Sequence, residues 1–160
     1  MTKHQIKISF DFNGKKSDKI VVTRIAKALS LAFKSSKSFK NKSFSLAIVS
    51  ASEIKKLNLI YRGKNKPTDV LSFSEAEIDE FVPSTEKKVQ DLGEIIICNP
   101  IVSKQAKLYG WSREEELARL LVHGLAHLCG YQHENVSKKE ELKMIKFEKK
   151  ILKLAGFNFY

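Results

Sequence analysis

The chain has 160 residues, 42% of them hydrophobic and 29% charged, and its 29 Lys+Arg against 18 Asp+Glu leave a net charge of +11. That composition excludes an intrinsically disordered chain, and at this length a core forms without a disulfide framework, so a single domain spanning 1–160 is predicted. The positive excess favours an anionic partner.

No run approaches the ~18 consecutive apolar residues of a membrane span. The start has no secretory layout, because Ile6, Ile8, Phe10 and Phe12 alternate with polar residues instead of forming a solid apolar stretch. A cytoplasmic protein is therefore predicted. Cys98 and Cys129 lack CxxC spacing and sit in apolar surroundings, which predicts reduced thiols packed in the core.

The period-two alternation over Ile6 to Phe12, closed by Asn13-Gly14, predicts a first strand and turn. From Val22 to Phe33 the apolar residues Ile25, Ala28, Leu29, Ala32 and Phe33 recur at helical spacing, and the Ser/Lys cluster from Lys34 to Lys42 predicts a loop. Phe44 to Val49 reads as a strand, followed by a helix capped by Ser52 that carries Ile54, Leu57, Leu59 and Ile60.

A basic loop closes at Pro67. Strands are predicted at Val70 to Phe73 and Leu92 to Cys98, with the acidic stretch Glu75 to Lys88 exposed between them. Asn99-Pro100 opens a short helix through Leu108 that Gly110 ends, and Ser112 with Glu115 forms a capping box for the next helix. A final basic helix from Ser137 to Leu154 turns Leu142, Ile145 and Leu152 inward and terminates at Gly156. This order predicts an α+β fold: a small mixed, partly parallel four-stranded sheet packed by about five helices.

Three of the four histidines fall between positions 123 and 133, as His123-Gly-Leu-Ala-His127-Leu-Cys-Gly130-Tyr-Gln-His133. On a helix His123 and His127 stand ~6 Å apart along the axis and ~40° around it, so both can reach one ion. Gly130 can take φ > 0 and end the helix, letting His133 fold back as a third ligand. Three imidazoles with a fourth position open describe a catalytic zinc site, where a bound water is acidified. Cys129 lies ~160° from His127 on the wheel, which points it to the core. Taken singly, each histidine reads more readily as a surface or hydrogen-bonded helix residue.

The spacing is also that of the metzincin proteases, HExxHxxGxxH, but the glutamate that serves there as general base is here Gly124. The only downstream methionine, Met144, falls inside a predicted helix instead of a turn.

The string His123-Gly-x-x-His127-Leu-x-Gly130-Tyr131-x-His133 resembles the YbeY family of metal-dependent, single-strand-specific endoribonucleases and ribosomal RNA maturation factors. A second stretch, from Leu57-Asn58 through Tyr61-Arg62-Gly63-Lys64-Asn65-Lys66-Pro67-Thr68-Asp69-Val70-Leu71-Ser72-Phe73, and then Leu92-Gly93-Glu94-Ile95, is similar to that family in the same order. This chain departs from the pattern at Gln132 and Asn65, where the family commonly has aspartate, at Ala126, where leucine is commoner, and at Ser74, commonly proline.

The resemblance implies a zinc-dependent endoribonuclease acting in small-subunit ribosomal RNA 3′-end maturation and ribosome quality control. Its partners would be ribosomal RNA and the small ribosomal subunit, with no membrane. One zinc ion per chain is expected on His123, His127 and His133. Arg62 and His123 are the candidate catalytic residues, and Arg62, Lys64 and Lys66 the candidate substrate-binding residues, the arginine clamping a phosphate with its planar fork. Read alone, the RGKNKP stretch is a solvated basic loop. Lysines 34, 37, 40 and 42 and the final-helix set Lys138, Lys139, Lys143, Lys146, Lys149, Lys150 and Lys153 could add electrostatic affinity for RNA, although Glu140, Glu141 and Glu148 interrupt the helix set. A noncatalytic zinc-containing ribosome assembly factor is the competing class, and a metalloprotease, lacking its glutamate, a third.

Overall fold

The unbroken apolar run Ile95-Ile96-Ile97-Cys98 requires a strand covered on both faces. The computed structural model, which describes residues 8–36, 39, 42–81 and 91–159, provides that cover. Strands β1 (Ser9–Asn13), β2 (Ser43–Val49), β3 (Val70–Ser74) and β4 (Asp91–Cys98) form one sheet in the order β1-β2-β4-β3. β1, β2 and β4 run parallel, and β3 is antiparallel to β4 at the edge. The helices are α1 (Lys16–Ala32), α2 (Ala51–Arg62), α3 (Glu75–Phe81), α4 (Asn99–Tyr109), α5 (Arg113–Leu128) and α6 (Lys138–Leu154). The α+β class and four-stranded mixed sheet are as the sequence predicts, with α3 added.

Successive β4 side chains divide between two cores. Ile95 and Ile97, both 0% exposed, pack with Ile25 and Leu29 of α1, Leu121 and Leu125 of α5, and Ile151 of α6. Ile96 and Cys98 face the other way, with Ile54 of α2, Leu71 and Phe73 of β3 and Ile101 of α4. Burying each isoleucine contributes ~1.5 to 3 kcal/mol, so β4 and its cover form the rigid platform on which α5 rests.

Two glycines set that contact. Gly93 has φ +135, and a Cβ there would strike the Phe73 carbonyl. It lies in a bulge, since Ser43 pairs with Asp91 but Ser45 with Glu94. At Gly124 a Cβ would come within 3.0 Å of Ile95 Cγ2, so glycine lets α5 sit this close to β4 without displacing the Ile95 side chain. The position where a metzincin carries its glutamate therefore faces the sheet, with no room for a general base.

Several element limits differ from the sequence expectation. α1 starts at Lys16, not Val22, because its first turn is polar and lacks the apolar period; Asp18 in that turn is 2% exposed and receives both Arg113 Nη groups, the second also bonded to Asn99. α2 is capped by Ser50, not Ser52: Ser50 leaves β2 in an extended conformation and stands three residues before Glu53, closing a capping box. The predicted start of the first strand, Ile6 and Lys7, lies outside the described residues, as do parts of the 34–42 loop and residues 82–90 of the acidic stretch.

On α6 the buried stripe is Met144, Phe147, Ile151 and Leu152. Leu142 is 49% exposed and Ile145 half-buried, which corrects two of the three residues predicted to face inward. A lysine-rich helix offers two apolar stripes of similar strength, and the one selected continues into Ala155 and Phe157 of the core. No helix among the described residues is long and apolar enough to cross a membrane.

Candidate metal centre

α5 begins at a capping box in which Ser112 Oγ accepts from Glu115 N at 3.1 Å and Ser112 N donates to Glu115 Oε2 at 2.7 Å. Eleven and fifteen residues after Ser112 it presents His123 and His127, one turn apart, their ring centroids separated by 4.8 Å. The helix then stops in a Schellman motif: Gly130, at φ +92, donates its N–H to the His127 carbonyl at 3.0 Å, and Tyr131 N–H donates to Ala126 O at 3.0 Å. That reversal carries His133 back to 5.0 Å from the His123 ring and 5.1 Å from that of His127.

One nitrogen from each of the three rings lies within 4.8 Å of the others, so the cluster could hold a metal ion. Within a triangle of that edge some point is no more than ~2.8 Å from every corner; zinc–imidazole bonds are ~2.0 to 2.1 Å, so inward shifts of ~0.7 Å per ring close the site.

Two of the imidazoles have partners that fix which nitrogen faces the cluster. His123 Nδ1 is 2.7 Å from Glu148 Oε1, and His127 Nδ1 is 3.1 Å from the Tyr131 carbonyl oxygen. A carboxylate and a carbonyl can only accept, so both Nδ1 atoms carry the hydrogen and leave Nε2 as the donor to an ion. Burial, reinforced by the neighbouring His123 and His127–His133 repulsion, holds His127 below the ordinary histidine value. It therefore remains in the neutral form that ligation needs.

The sequence predicts Glu148 as an interruption of the lysine face, and the structure corrects this: it is 7% exposed and points inward from α6. Its signal was present, since Met144, Glu148, Ile151 and Ala155 share one helical stripe. Cys129, by contrast, stands outside the cluster. Burial pushes its thiol up to about 12, with Lys42 pulling weakly the other way, and burial also raises Cys98. Both cysteines are free.

A consequence for Cys129 follows from the sign of that shift. The unfolded thiol releases its proton near its ordinary 9.0 while the folded one holds it to about 12, so stability declines as pH rises across that window. In the native protein at about pH 8, Cys129 should resist a thiol-specific disulfide reagent, and unfolding in urea should expose it to immediate reaction. Rapid native labelling of Cys129 would contradict this placement.

The histidines form one wall of a cleft of about 680 Å3. Arg62, Lys64 and Lys66 line it from the other side, together with Asp69, Ser72 and Glu77. Arg62 is the last residue of α2 instead of part of the loop, which begins at Gly63 with φ +69. Its Nη2 donates to Ser72 O at 3.0 Å, its Nη1 pairs with Glu77 Oε1 at 3.2 Å, and the guanidinium stacks 4.8 Å from the Phe73 ring centre. The buried Asn58 anchors the loop by donating to Lys66 O at 2.8 Å.

Glu77, unlike Glu148, lines the cleft itself, although the acidic composition of its stretch predicts plain exposure. Ser74-x-x-Glu77 is a capping box: Ser74 N donates to Glu77 Oε2 at 2.9 Å and Ser74 Oγ accepts from Glu77 N at 3.4 Å. A proline at 74 would have no N–H to give, so the departure to serine starts α3 and places Glu77 against Arg62.

A family model described as Endoribonuclease YbeY matches residues 8–156. Among similar proteins, the Endoribonuclease YbeY of Halalkalibacterium halodurans is 45% identical over 115 residues, 70% of this chain and 71% of that one. That of Staphylococcus saprophyticus is 37% identical over 134 residues, 84% of this chain and 86% of the other. The solution structure of TM1509 from Thermotoga maritima superposes with a TM-score of 0.57 at 30% identity, covering 91% of this chain and 89% of that one.

Proposed function

This chain belongs to the endoribonuclease YbeY family, a family of hydrolases, and from that premise we propose that it is a zinc-dependent endoribonuclease specific for single strands. We further propose that it acts in 3′-end maturation of small-subunit ribosomal RNA and in ribosome quality control, with the small ribosomal subunit as partner. The observation that carries the reading is the meeting, in one cleft, of three convergent imidazoles with the Arg62-to-Lys66 segment.

His123, His127 and His133 would hold the ion, with Glu148 and the Tyr131 carbonyl fixing two of the rings. When bound, zinc supplies a Lewis acid in the cleft, next to the scissile phosphodiester. Arg62 meets the charge that builds on the non-bridging oxygens as phosphorus is attacked; its planar fork can take two of them. Stacking on Phe73 and the Ser72 carbonyl hold the guanidinium in place, and the phosphate displaces Glu77 as its anionic partner. Lys64 and Lys66, both exposed at the rim, draw the RNA backbone in. His123 acts here as a ligand and takes part in chemistry only through the ion.

Arg62→Ala should lower kcat on single-stranded RNA by ~10²- to 10³-fold, the usual loss of one transition-state donor, while leaving zinc content at the wild-type level. Arg62→Lys should restore only part of it, since a point charge cannot take two oxygens at once. Steady-state kinetics with metal analysis checks both. Undiminished cleavage by Arg62→Ala would remove the arginine from the reaction.

A further inference from the structure

A second concavity, of about 310 Å3, opens on the far side of the Tyr131 turn between the end of α1 and α6. Its floor is apolar, made by Ala32, Phe33, Tyr131 and Phe147; Phe147 is 7% exposed and stacks on Tyr131 at 4.8 Å with an interplanar angle of 25°, and Phe33 stacks on Phe39, so the half-buried Tyr131 and Phe33 are the rings a ligand meets. Lys143, Lys146 and Lys150 stand along its edge, all exposed. Their spacing of three and four puts them on one face of α6, and among the described residues none is paired with a carboxylate. Like charges one turn apart repel, so an unneutralised stripe beside flat apolar rings weakens the isolated protein slightly. The geometry fits a ligand with both regularly spaced negative charge and flat apolar faces.

We infer that this groove binds a single-stranded RNA segment outside the cleaved bond, with bases on the aromatic floor and phosphates on the lysine stripe. The inference rests on the endoribonuclease reading for its choice of polyanion. Continuity supports that choice: the Tyr131 whose ring helps form the floor holds His127 with its carbonyl, and Phe147 immediately precedes the Glu148 that holds His123. The 131 turn and α6 thus contribute both to this groove and to the support of the histidine cluster. Sequence-tolerant stacking and backbone contacts of this kind suit an enzyme that selects single strands.

The test compares the full-length wild type with the Lys143→Gln/Lys146→Gln/Lys150→Gln variant on dodecauridine and on triuridine, the trimer chosen to occupy the metal cleft alone. The variant should show KM for the dodecamer raised about tenfold with kcat unchanged, and KM for the trimer unaltered. Its dependence of log affinity on log salt should flatten by ~2, the value for three lost phosphate contacts on a single strand. Equal KM and equal salt slope in the two proteins overturn the inference, as does poly-glutamate displacing the dodecamer at matched charge, which would assign the groove to an acidic protein segment. Should the wild type cut neither oligonucleotide, the endoribonuclease reading fails instead. Fluorescence anisotropy of dodecamer binding to the same two proteins then judges the groove alone: a tenfold weaker variant upholds it and equal binding refutes it.

Discussion

His127→Ala should lose bound zinc and single-stranded RNA cleavage together. His127 is the central ligand of the turn, one helical turn from His123 and followed directly by the reversal that returns His133. Zinc held by four protein ligands is worth ~10 to 16 kcal/mol, so one ligand accounts for ~2.5 to 4 kcal/mol and its removal weakens binding roughly 10²- to 10³-fold. The Gly130 turn is made by backbone bonds and survives the substitution, so the fold should persist with two rings in place. Metal analysis and a cleavage assay on the same preparation check this. Cleavage at the wild-type rate without metal would mean a contaminating nuclease or chemistry unrelated to the imidazoles.

The second large effect is expected at Glu148. Truncation to alanine removes the acceptor that orients His123 and opens a polar gap at a position 7% exposed, in contact with a ring nitrogen at 2.7 Å. Loss of such a partner ordinarily costs 10- to 100-fold in metal affinity, roughly 1.4 to 2.7 kcal/mol. Glu148→Gln keeps an oxygen acceptor in nearly the same volume and should recover most of the affinity. The readout is zinc competition against a chelator, with the His123 Nδ1 proton followed by NMR: its strongly hydrogen-bonded line should vanish in the alanine variant. Unchanged affinity and an unchanged line would show that the ring is held by packing alone.

Much of this site was legible from residue spacing. HxxxH on one helix and a glycine able to adopt positive φ sufficed to anticipate three converging rings, because both follow from local backbone geometry. The four strands and the α5 capping box were readable for the same reason. What escaped was set by tertiary context. Asp18 extends α1 because Arg113, 95 residues away, neutralises it, and no local period announces that. Glu148 looks like one more charge on a lysine-rich helix until the buried stripe is known, and that stripe is chosen by the core and not by α6. Arg62 reads as loop because Gly63 and the lysines follow it, whereas the capping box at Ser50 sets α2 in a phase that ends on it. Glu77 was hidden differently: its capping motif is local, but acidic composition outweighed it.

Zinc should restore activity at one ion per chain. Protein stripped with a chelator, then titrated with zinc while cleavage of a labelled single-stranded RNA is followed, should recover full activity at one equivalent. Full activity in the stripped protein, or recovery that is equally complete in a variant with all three histidines replaced by alanine, would contradict it.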